Sequence, residues 1–451
     1  MALVVTNSYT GKKELFEPLN KGKVLFYVCG VTVYDVCHIG HARAYIAFDV
    51  MRRYLEFLGY KVEFVQNFTD IDDKILNRSR ERNISYRELA EENIEKYFND
   101  MDRLHINRAV RYPRATDYIN EMQEIIAGLI KKGIAYALDG DVYFSVDKFN
   151  LYGKLSKKSL DNLIAGTRVD ISEKKKNPLD FVLWKKAKPG EPSWESPWGA
   201  GRPGWHIECS AMVIKELGPT IDIHAGGEDL IFPHHENEIA QSECFTGKPF
   251  AKYWIHNGFV NIQNEKMAKS KNNFITIRDI LEEFSGDVIR FYLLRVHYRA
   301  PFNYSVEGLK EAEYAYSRLL NTIKENSVKT DKEDLTKELK AFEARFGEAM
   351  DNDFNYAQAI GILFELNKFV HVNNNGSGLL LKLGRVLGLF NDLEVETEQE
   401  LDPKIKALID QRTKAKAERD FNTADSIRDE LLNEYKIVLE DTPDGVRWKK
   451  L

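Results

Sequence analysis

The stretch from Val24 to Ala47, VLFYVCGVTVYDVCHIGHARAYIA, constrains the fold more than any other part of the chain. Its opening residues, Val24–Val28, are apolar and uncharged. That predicts a strand buried on both faces of a parallel sheet. The strand is expected to end on Cys29-Gly30, in a turn. His38-Ile39-Gly40-His41 then opens a helix with apolar positions at Ala44, Ile46, Ala47, Val50, Met51 and Tyr54. A first strand, a glycine turn and a helix N-terminus facing the strand's carboxyl end begin a nucleotide-binding α/β unit. His38 and His41 are three residues apart and share a face, with Gly40 leaving bare backbone between them. Two imidazoles around a glycine suit a triphosphate with a purine lying flat. Four residues are a short motif, and ordinary surface or core histidines are the plain alternative.

A chain of 451 residues is too long for one core and suggests about three domains. Hydrophobic residues at 43% and charged residues at 30% fit a globular protein. No apolar run reaches about 18 residues, so no membrane span is expected. The first residues, MALVVTNSYTGKKELF, lack the charged start and long apolar centre of a signal peptide. Four cysteines without paired spacing fit a reducing cytoplasm and argue against a disulfide framework. The net charge of −6 does not announce a nucleic-acid binder, but binding needs only a local patch. Lys148–Lys188 holds 11 basic against four acidic residues, which reads as such a patch or as a solvated loop-rich face.

The patterning divides the chain. Residues 1–133 read as the first half of a Rossmann-like domain. Residues 134–203, rich in Gly, Pro, Lys and Trp among short strands, read as a connective insertion. The α/β pattern resumes over 204–265, where WHIECSAMVIKEL and PHHENEIAQSECF are expected helices and IDIHAGG and YWIHNGFV expected strands. A polar lysine loop and connecting helices follow over 266–310, and a helical bundle over 311–390. Residues 391–403 are an acidic linker, with six acids and no base between Asn391 and Asp402. The last unit, 404–451, is a helix pair with a short β element.

Cys209, His234 and Glu238 are candidate metal ligands. Pro233 suits a first helical turn, and His234 and Glu238 are then i and i+4 on one face. Cys29 belongs at a strand's carboxyl end, where open parallel sheets bind ligands. Two thiolates, an imidazole and a carboxylate make a zinc shell. His235 is expected to point about 100° away on the helix and to miss Glu238. There is no CxxC and no HExxH, and a lone cysteine is more often a small buried hydrophobe.

The segments YVCGVTVYDVCHIGHAR, NFTDIDDKI, PGWHIECSAM, DIHAGGEDLIFPHHENEIAQSE and KMAKSKNN occur in that order. Together they resemble the cysteinyl-tRNA synthetase family of class I aminoacyl-tRNA synthetases, over nearly the whole chain. HIGH resembles the first class I signature. KMAKS is similar to the second, KMSKS, with Ala268 in place of the central serine. The resemblance implies an enzyme that joins L-cysteine to ATP, releases pyrophosphate, and passes cysteine to the 3′ end of tRNA(Cys). It implies one zinc per chain on Cys29, Cys209, His234 and Glu238, selecting cysteine over serine through its sulfur. Magnesium would accompany ATP. Charge in the first transition state would be met by His38 and His41 on one side and Lys266 and Lys269 on the other. ATP would also lie against Gly40 and Asp229. Cys29, Gly30, Thr69 and Trp205 are implied around the amino acid, with Asp70 beside them. His224 is either a support for the metal or a satisfied core histidine. Gly226-Gly227-Glu228-Asp229 either approaches the adenosine or is a turn with a helix N-cap. Cys37 and Cys244 read as structural.

The resemblance also implies a cytoplasmic monomer and no membrane partner. Residues 404–451 resemble the family's anticodon-binding unit. With 11 basic and 11 acidic residues over 401–451, affinity there would come from stacking, with Trp448 one candidate, and not from bulk charge. Three other readings keep part of the pattern: a ligase passing activated cysteine to an amino sugar, a non-catalytic tRNA-binding relative, and a small-molecule nucleotidyltransferase. The first and last do not need the C-terminal unit, and the second would have lost a lysine or a zinc ligand.

Overall fold

The computed structural model describes residues 2–158, 175–262, 265–266, 274–326, 336–391, 393, 403–435, 437–442 and 445–450. Two strands, β1 (Val4–Asn7) and β2 (Lys12–Leu15), pair antiparallel. Then come β3 (Lys23–Thr32), α1 (Ile39–Phe57), β4 (Lys61–Thr69), α2 (Asp73–Arg82), α3 (Tyr86–Arg103) and α4 (Ile119–Lys131). Strands β5 (Ala135–Leu138), β6 (Asp141–Phe144), β7 (Phe181–Lys186) and β8 (Gly201–Pro203) make a separate antiparallel sheet. The chain returns through α5 (Trp205–Leu217), β9 (Ile221–Gly227), α6 (Glu236–Thr246) and β10 (Ala251–Asn257).

The central sheet has the order β10-β9-β3-β4, and every pair is parallel. From β3 the chain crosses to β4 on one side, and later strands add on the other. The crevice at the carboxyl ends of β3 and β9 is therefore the point where strand order reverses, the position at which open α/β sheets take their ligands. The α/β class and its four parallel strands agree with the sequence pattern. One detail differs. β3 does not stop at Cys29-Gly30 but runs on to Thr32, with its register shifted between Val28 and Val31. At this irregularity Gly30 donates its N–H to Asn67 Oδ1 (2.8 Å), and a Cβ there would sit 1.6 Å from Asn67 O. The chain continues because glycine lets it hug β4.

Helix α1 starts at its signature histidines. His38 is the N-cap, and its Nδ1 accepts from Gly40 N (3.1 Å), while His41 Nδ1 accepts from His38 N (3.2 Å). This reciprocal cap satisfies two helix-end donors. It also leaves the proton of each neutral ring on Nε2.

Beyond the sheet, β11 (Val260–Ile262) pairs antiparallel with β12 (Glu265–Lys266). Helices α7 (Ile277–Glu283) and α8 (Gly286–Leu294) follow, and β13 (Phe302–Tyr304) returns parallel to β11. Lys266 is described only in its backbone, and Lys269 lies outside the described residues. Four helices follow: α9 (Val306–Glu325), α10 (Lys337–Asp351), α11 (Tyr356–Asn373) and α12 (Ser377–Val386). Their apolar stripes, such as Leu309, Ala312, Leu319 and Ile323 of α9, are buried. All of this belongs to one compact unit. The second unit contains α13 (Pro403–Ala417), α14 (Phe421–Asn433) and the hairpin of β14 (Ile437–Thr442) and β15 (Gly445–Lys450). Its own small core joins Ile427, Leu431, Ile437 and Leu439. Nothing is described of the Trp448 side chain.

Candidate active site and metal centre

A cavity of about 570 Å³ opens at the carboxyl ends of β3 and β9. Cys29 and Gly30, the signature residues His38, Gly40 and His41, and Trp205, Gly226 and Asp229 line it. The rings of His38 and His41 stack at 3.7 Å with 22° between their planes. Both Nδ1 atoms are engaged in the cap of α1. Gly226 and Gly227 keep the opposite wall open. A Cβ on Gly226 would meet the His235 ring at 2.9 Å, and one on Gly227 would meet Asp229 Oδ1 at 2.5 Å.

Four buried donors converge from three segments, and of them Cys29 also lines the cavity. Cys29 comes from the shifted end of β3, Cys209 from the first turns of α5, His234 from the turn Ile231–His235 that leads into α6, and Glu238 from the first turn of α6. Their donor atoms all lie within 4.8 Å of one another. The two sulfurs are 3.7 Å apart, Cys209 Sγ is 3.7 Å from His234 Nε2, and Cys29 Sγ is 3.6 Å from Glu238 Oε1. A tetrahedral shell with metal–sulfur bonds near 2.3 Å places two sulfurs about 3.8 Å apart. The spacing therefore fits a small divalent ion.

Burial and mutual contact shift every one of these groups. Burial, together with Cys209 and Glu238, pushes the Cys29 thiol well above its ordinary value. The hydrogen bond with Cys29 draws the Cys209 thiol down to about 6 despite its burial. Burial alone would lower His234, but Glu238 and Cys209 outweigh it and hold the imidazole up at about 10. A thiolate and a carboxylate in a dry pocket call for positive charge, which the His234 imidazolium supplies without a metal and a divalent ion would supply in its place.

Around these four lies a set of histidines. His224 Nε2 is 2.8 Å from Glu238 Oε2, and its ring stacks on Trp254 at 4.4 Å. Of the two readings of His224, the structure shows contact with a candidate ligand. His206 Nδ1 faces His234 Nδ1 at 3.1 Å, and His235 Nδ1 meets His256 Nε2 at 2.8 Å. Burial and neighbouring imidazoles push His206 and His256 each down to about 3, so both are neutral at pH 7. Neither had been singled out as a site residue in the sequence reading, although His206 lies in the WHIEC segment and His256 in YWIHNGFV. For His256 the signal was position, near the carboxyl end of β10 beside β9.

Three expectations are corrected. His235 does not miss Glu238: its Nε2 lies 3.9 Å from Glu238 Oε1 and 3.3 Å from Cys29 Sγ. The α-helix begins at Glu236 and not at Pro233, and Ile231–His235 form a wider π-type turn with Phe232 extended. A fixed 100° step does not apply across such a turn. Thr69 and Asp70 do not line the cavity. The Thr69 hydroxyl donates to Glu208 (2.7 Å), and the Asp70 carboxylate accepts from the N–H and hydroxyl of Thr116 (2.9 and 2.6 Å). Asp70 lines a separate hollow of about 260 Å³ with Tyr86, Arg87, Arg114 and Trp194. Trp205 lines the cavity, is over a third exposed and stacks on His234 at 4.1 Å. Cys37 and Cys244 are free thiols raised above their ordinary range, chiefly by burial.

Residues 15–314 match the family described as the class I (C) tRNA synthetase catalytic domain, and residues 345–391 match the DALR domain. Mycobacterium tuberculosis methionyl-tRNA synthetase in complex with methionyl-adenylate superposes with a TM-score of 0.58 at 17% identity, over 81% of this chain and 89% of that one. The Agrobacterium radiobacter K84 agnB2 LeuRS, in a ternary complex with tRNA and LeuAMS, gives 0.60 at 12%, over 83% and 84%. A parallel sheet with its cavity at the strand-order reversal, walled by the signature histidines, is the catalytic fold of the class I aminoacyl-tRNA synthetases. Within the class the relation is closer still: the cysteine–tRNA ligase of Thermodesulfovibrio yellowstonii is 50% identical over 99% of both chains. The chain belongs to the cysteinyl-tRNA synthetases.

Proposed function

We propose that this cysteine–tRNA ligase holds one zinc ion on Cys29, Cys209, His234 and Glu238 and chooses its amino acid there. The observation that carries the reading is the convergence of four buried donors within 4.8 Å of one another, one of which, Cys29, lines the cavity. When bound, the zinc supplies a soft Lewis acid that takes the cysteine sulfur as thiolate and has little affinity for the serine hydroxyl. Shape alone separates such near-isosteres by only about 100-fold. Trp205, stacked on His234, covers the pocket from the cleft side.

With cysteine seated, its carboxylate is the nucleophile, so no side chain needs to attack. It adds to the α-phosphorus of ATP, and the bond to the pyrophosphate oxygen breaks. Negative charge grows on the phosphates. The Nε2–H groups of His38 and His41 donate to it, held there by the cap of α1. Lys266 and Lys269 approach from the loop and carry the countercharge, with magnesium on the nucleotide. Asp229 accepts from a ribose hydroxyl. The terminal ribose of tRNA(Cys) then attacks the adenylate carbonyl and AMP leaves. Residues 404–451 serve as the anticodon-binding unit of a cytoplasmic monomer.

ATP–pyrophosphate exchange on the purified chain, with cysteine and serine in parallel and zinc measured on the same sample, tests this. Exchange with cysteine alone, favoured more than about 100-fold, at about one zinc per chain is the expected result. Exchange with serine at a comparable rate, or with cysteine at full rate in metal-free protein, would overturn the zinc selection.

A further inference from the structure

The cavity takes ATP and then the terminal ribose of the tRNA, each with its phosphates, yet its walls are poor in fixed positive charge. Among the described residues that line it, Lys74 is the one lysine or arginine, while Asp35 and Asp229 bring carboxylates. Lys74 is exposed and lies in the first turn of α2, just past the carboxyl end of β4. The partial positive charge of a helix N-terminus disfavours a cation there. No ion pair offsets this. Asp72 is the N-cap and accepts from Lys74 N (2.9 Å), and the Asp73 carboxylate takes Arg202 and Lys185 (2.8 Å). Among the described residues no carboxylate pairs with Lys74 Nζ. The ammonium instead sits 5.4 Å from the centre of the Tyr34 ring, which also lines the cavity. That contact steers the charge without neutralising it.

Strand order decides which phosphate meets it. β3 lies between β9 and β4. Gly226, Gly227 and Asp229, on the β9 side, form the wall read as the adenosine side. Cys29 on β3 is where the cysteine sulfur arrives. Lys74 stands on the remaining side, beyond β4, so a ribose attacking the adenylate carbonyl comes in over that edge with its phosphodiester trailing past α2. The same end of α2 is tied through Asp73 to Lys185 of β7 and Arg202 of β8. Both strands belong to the insertion, whose Lys148–Lys188 stretch has 11 basic and four acidic residues, a sign of charge suited to an arriving polyanion.

We propose that Lys74 binds the last phosphodiester of the tRNA, the one that leads to the ribose receiving cysteine, and thereby places that ribose for attack. This rests on the reading of the cavity as the seat of both reaction steps. Lys74 forms and breaks no bond; it binds substrate. A compact ammonium with three rotatable donors suits a phosphate on a single strand, which approaches without one fixed orientation. The outer phosphates of ATP carry the same chemistry, but they act in the first step, whereas the phosphodiester acts only in the second.

The test compares full-length native chain, Lys74→Met and Lys74→Arg in cysteine-dependent pyrophosphate exchange and in charging of tRNA(Cys). Lys74→Met should lower kcat/KM for charging about tenfold, the worth of one charge-assisted hydrogen bond, and lower exchange far less. Lys74→Arg should recover most of the loss. The slope of log kcat/KM for charging against log salt should flatten by about 0.7 in Lys74→Met, one phosphate contact on a single strand. A tRNA whose last linkage is an uncharged methylphosphonate should cost the native chain about as much as Lys74→Met does, and should cost Lys74→Met little more. Lys74→Gln replaces Lys74→Met if the latter misfolds by circular dichroism. Equal losses in exchange and charging assign the lysine to ATP and overturn the proposal. So do unchanged charging in Lys74→Met, and a methylphosphonate penalty as large in Lys74→Met as in the native chain. A native chain that neither exchanges nor charges overturns the reading of the cavity itself, whatever Lys74 does.

Discussion

Asp49 and Arg290 show what a single buried charge does in this fold. Asp49 lies on α1 and Arg290 on α8, and both side chains are almost fully buried. Arg290 Nη2 donates to Asp49 Oδ2 at 2.6 Å, and Arg53 Nε donates to the same oxygen at 2.8 Å. Burial alone would raise the Asp49 carboxyl, but the two guanidinium groups overcome it and hold it below the usual carboxylate range. A carboxyl lowered in the fold contributes stability that is present above its unfolded pKa and is lost as pH falls through the folded one. Asp49→Asn strands the buried guanidinium of Arg290 and should cost about 4 kcal/mol at pH 7 in urea unfolding. The gap between native and variant should narrow as pH falls from 5 toward 3. A gap that stayed constant would mean that Asp49 is not the titrating group. Residue by residue, the site was legible where a segment carried its own chemistry: Cys29, His38, His41, Cys209, His234 and Glu238 all stand in distinctive short runs. His256 and His235 were not legible in the same way. Their roles depend on which strand lies beside which, and on a wide turn that no local propensity specifies.

At the scale of elements, α1 both opens the nucleotide cavity and braces the connection behind the lysine loop. Arg43 is one turn into α1 and 2% exposed. Its Nε donates to Gly258 O (3.3 Å) and its Nη2 to the carbonyls of His297 (3.2 Å), Tyr298 (3.3 Å) and Ala300. These carbonyls flank β11 and β13, the strands that carry β12 and the base of the lysine loop. Arg43→Met should leave several buried carbonyls without a donor and cost about 3 kcal/mol. Arg43→Lys should recover only part of it, because an ammonium cannot spread its donors as a planar guanidinium does. Denaturant midpoints of the two variants check both statements, and equal stability of Arg43→Met and native protein would refute them. The elements themselves were largely readable from apolar spacing, including the strands IDIHAGG and YWIHNGFV and the helix WHIECSAMVIKEL. The break between α10 and α11 was not. There Asp353 and Phe354 both take positive φ, 62° and 51°, without glycine or proline. The Asp353 carboxylate accepts from Thr6 N (2.7 Å) and Tyr298 OH (2.8 Å), so the break is dictated by partners distant in sequence.

For the molecule as a whole, activation and transfer draw on different amounts of chain. Every residue of the cavity described above lies between Cys29 and Phe274, within the first compact unit. Residues 403–450 belong to the second, which has a small core of its own. Ending the chain after Glu398 should leave cysteine-dependent pyrophosphate exchange within about twofold of native and lower the kcat/KM for charging tRNA by at least about tenfold, since anticodon contacts add binding energy only when tRNA is present. Charging at the native rate by the truncated chain would remove the anticodon role from that unit. A consequence of the donor arrangement concerns synthesis. Cys29 precedes the β5–β8 sheet, and Cys209, His234 and Glu238 all follow it. A growing chain therefore offers a metal only Cys29 until close to half its length has left the ribosome, and all four groups only once more than half has. On the proposed zinc reading, capture of the ion waits until α5 and α6 have docked beside β3. The ability to tell cysteine from serine would then be acquired in the same event that closes the two halves of the catalytic domain, and a chain stopped before α6 would have no pocket in which to make the wrong choice.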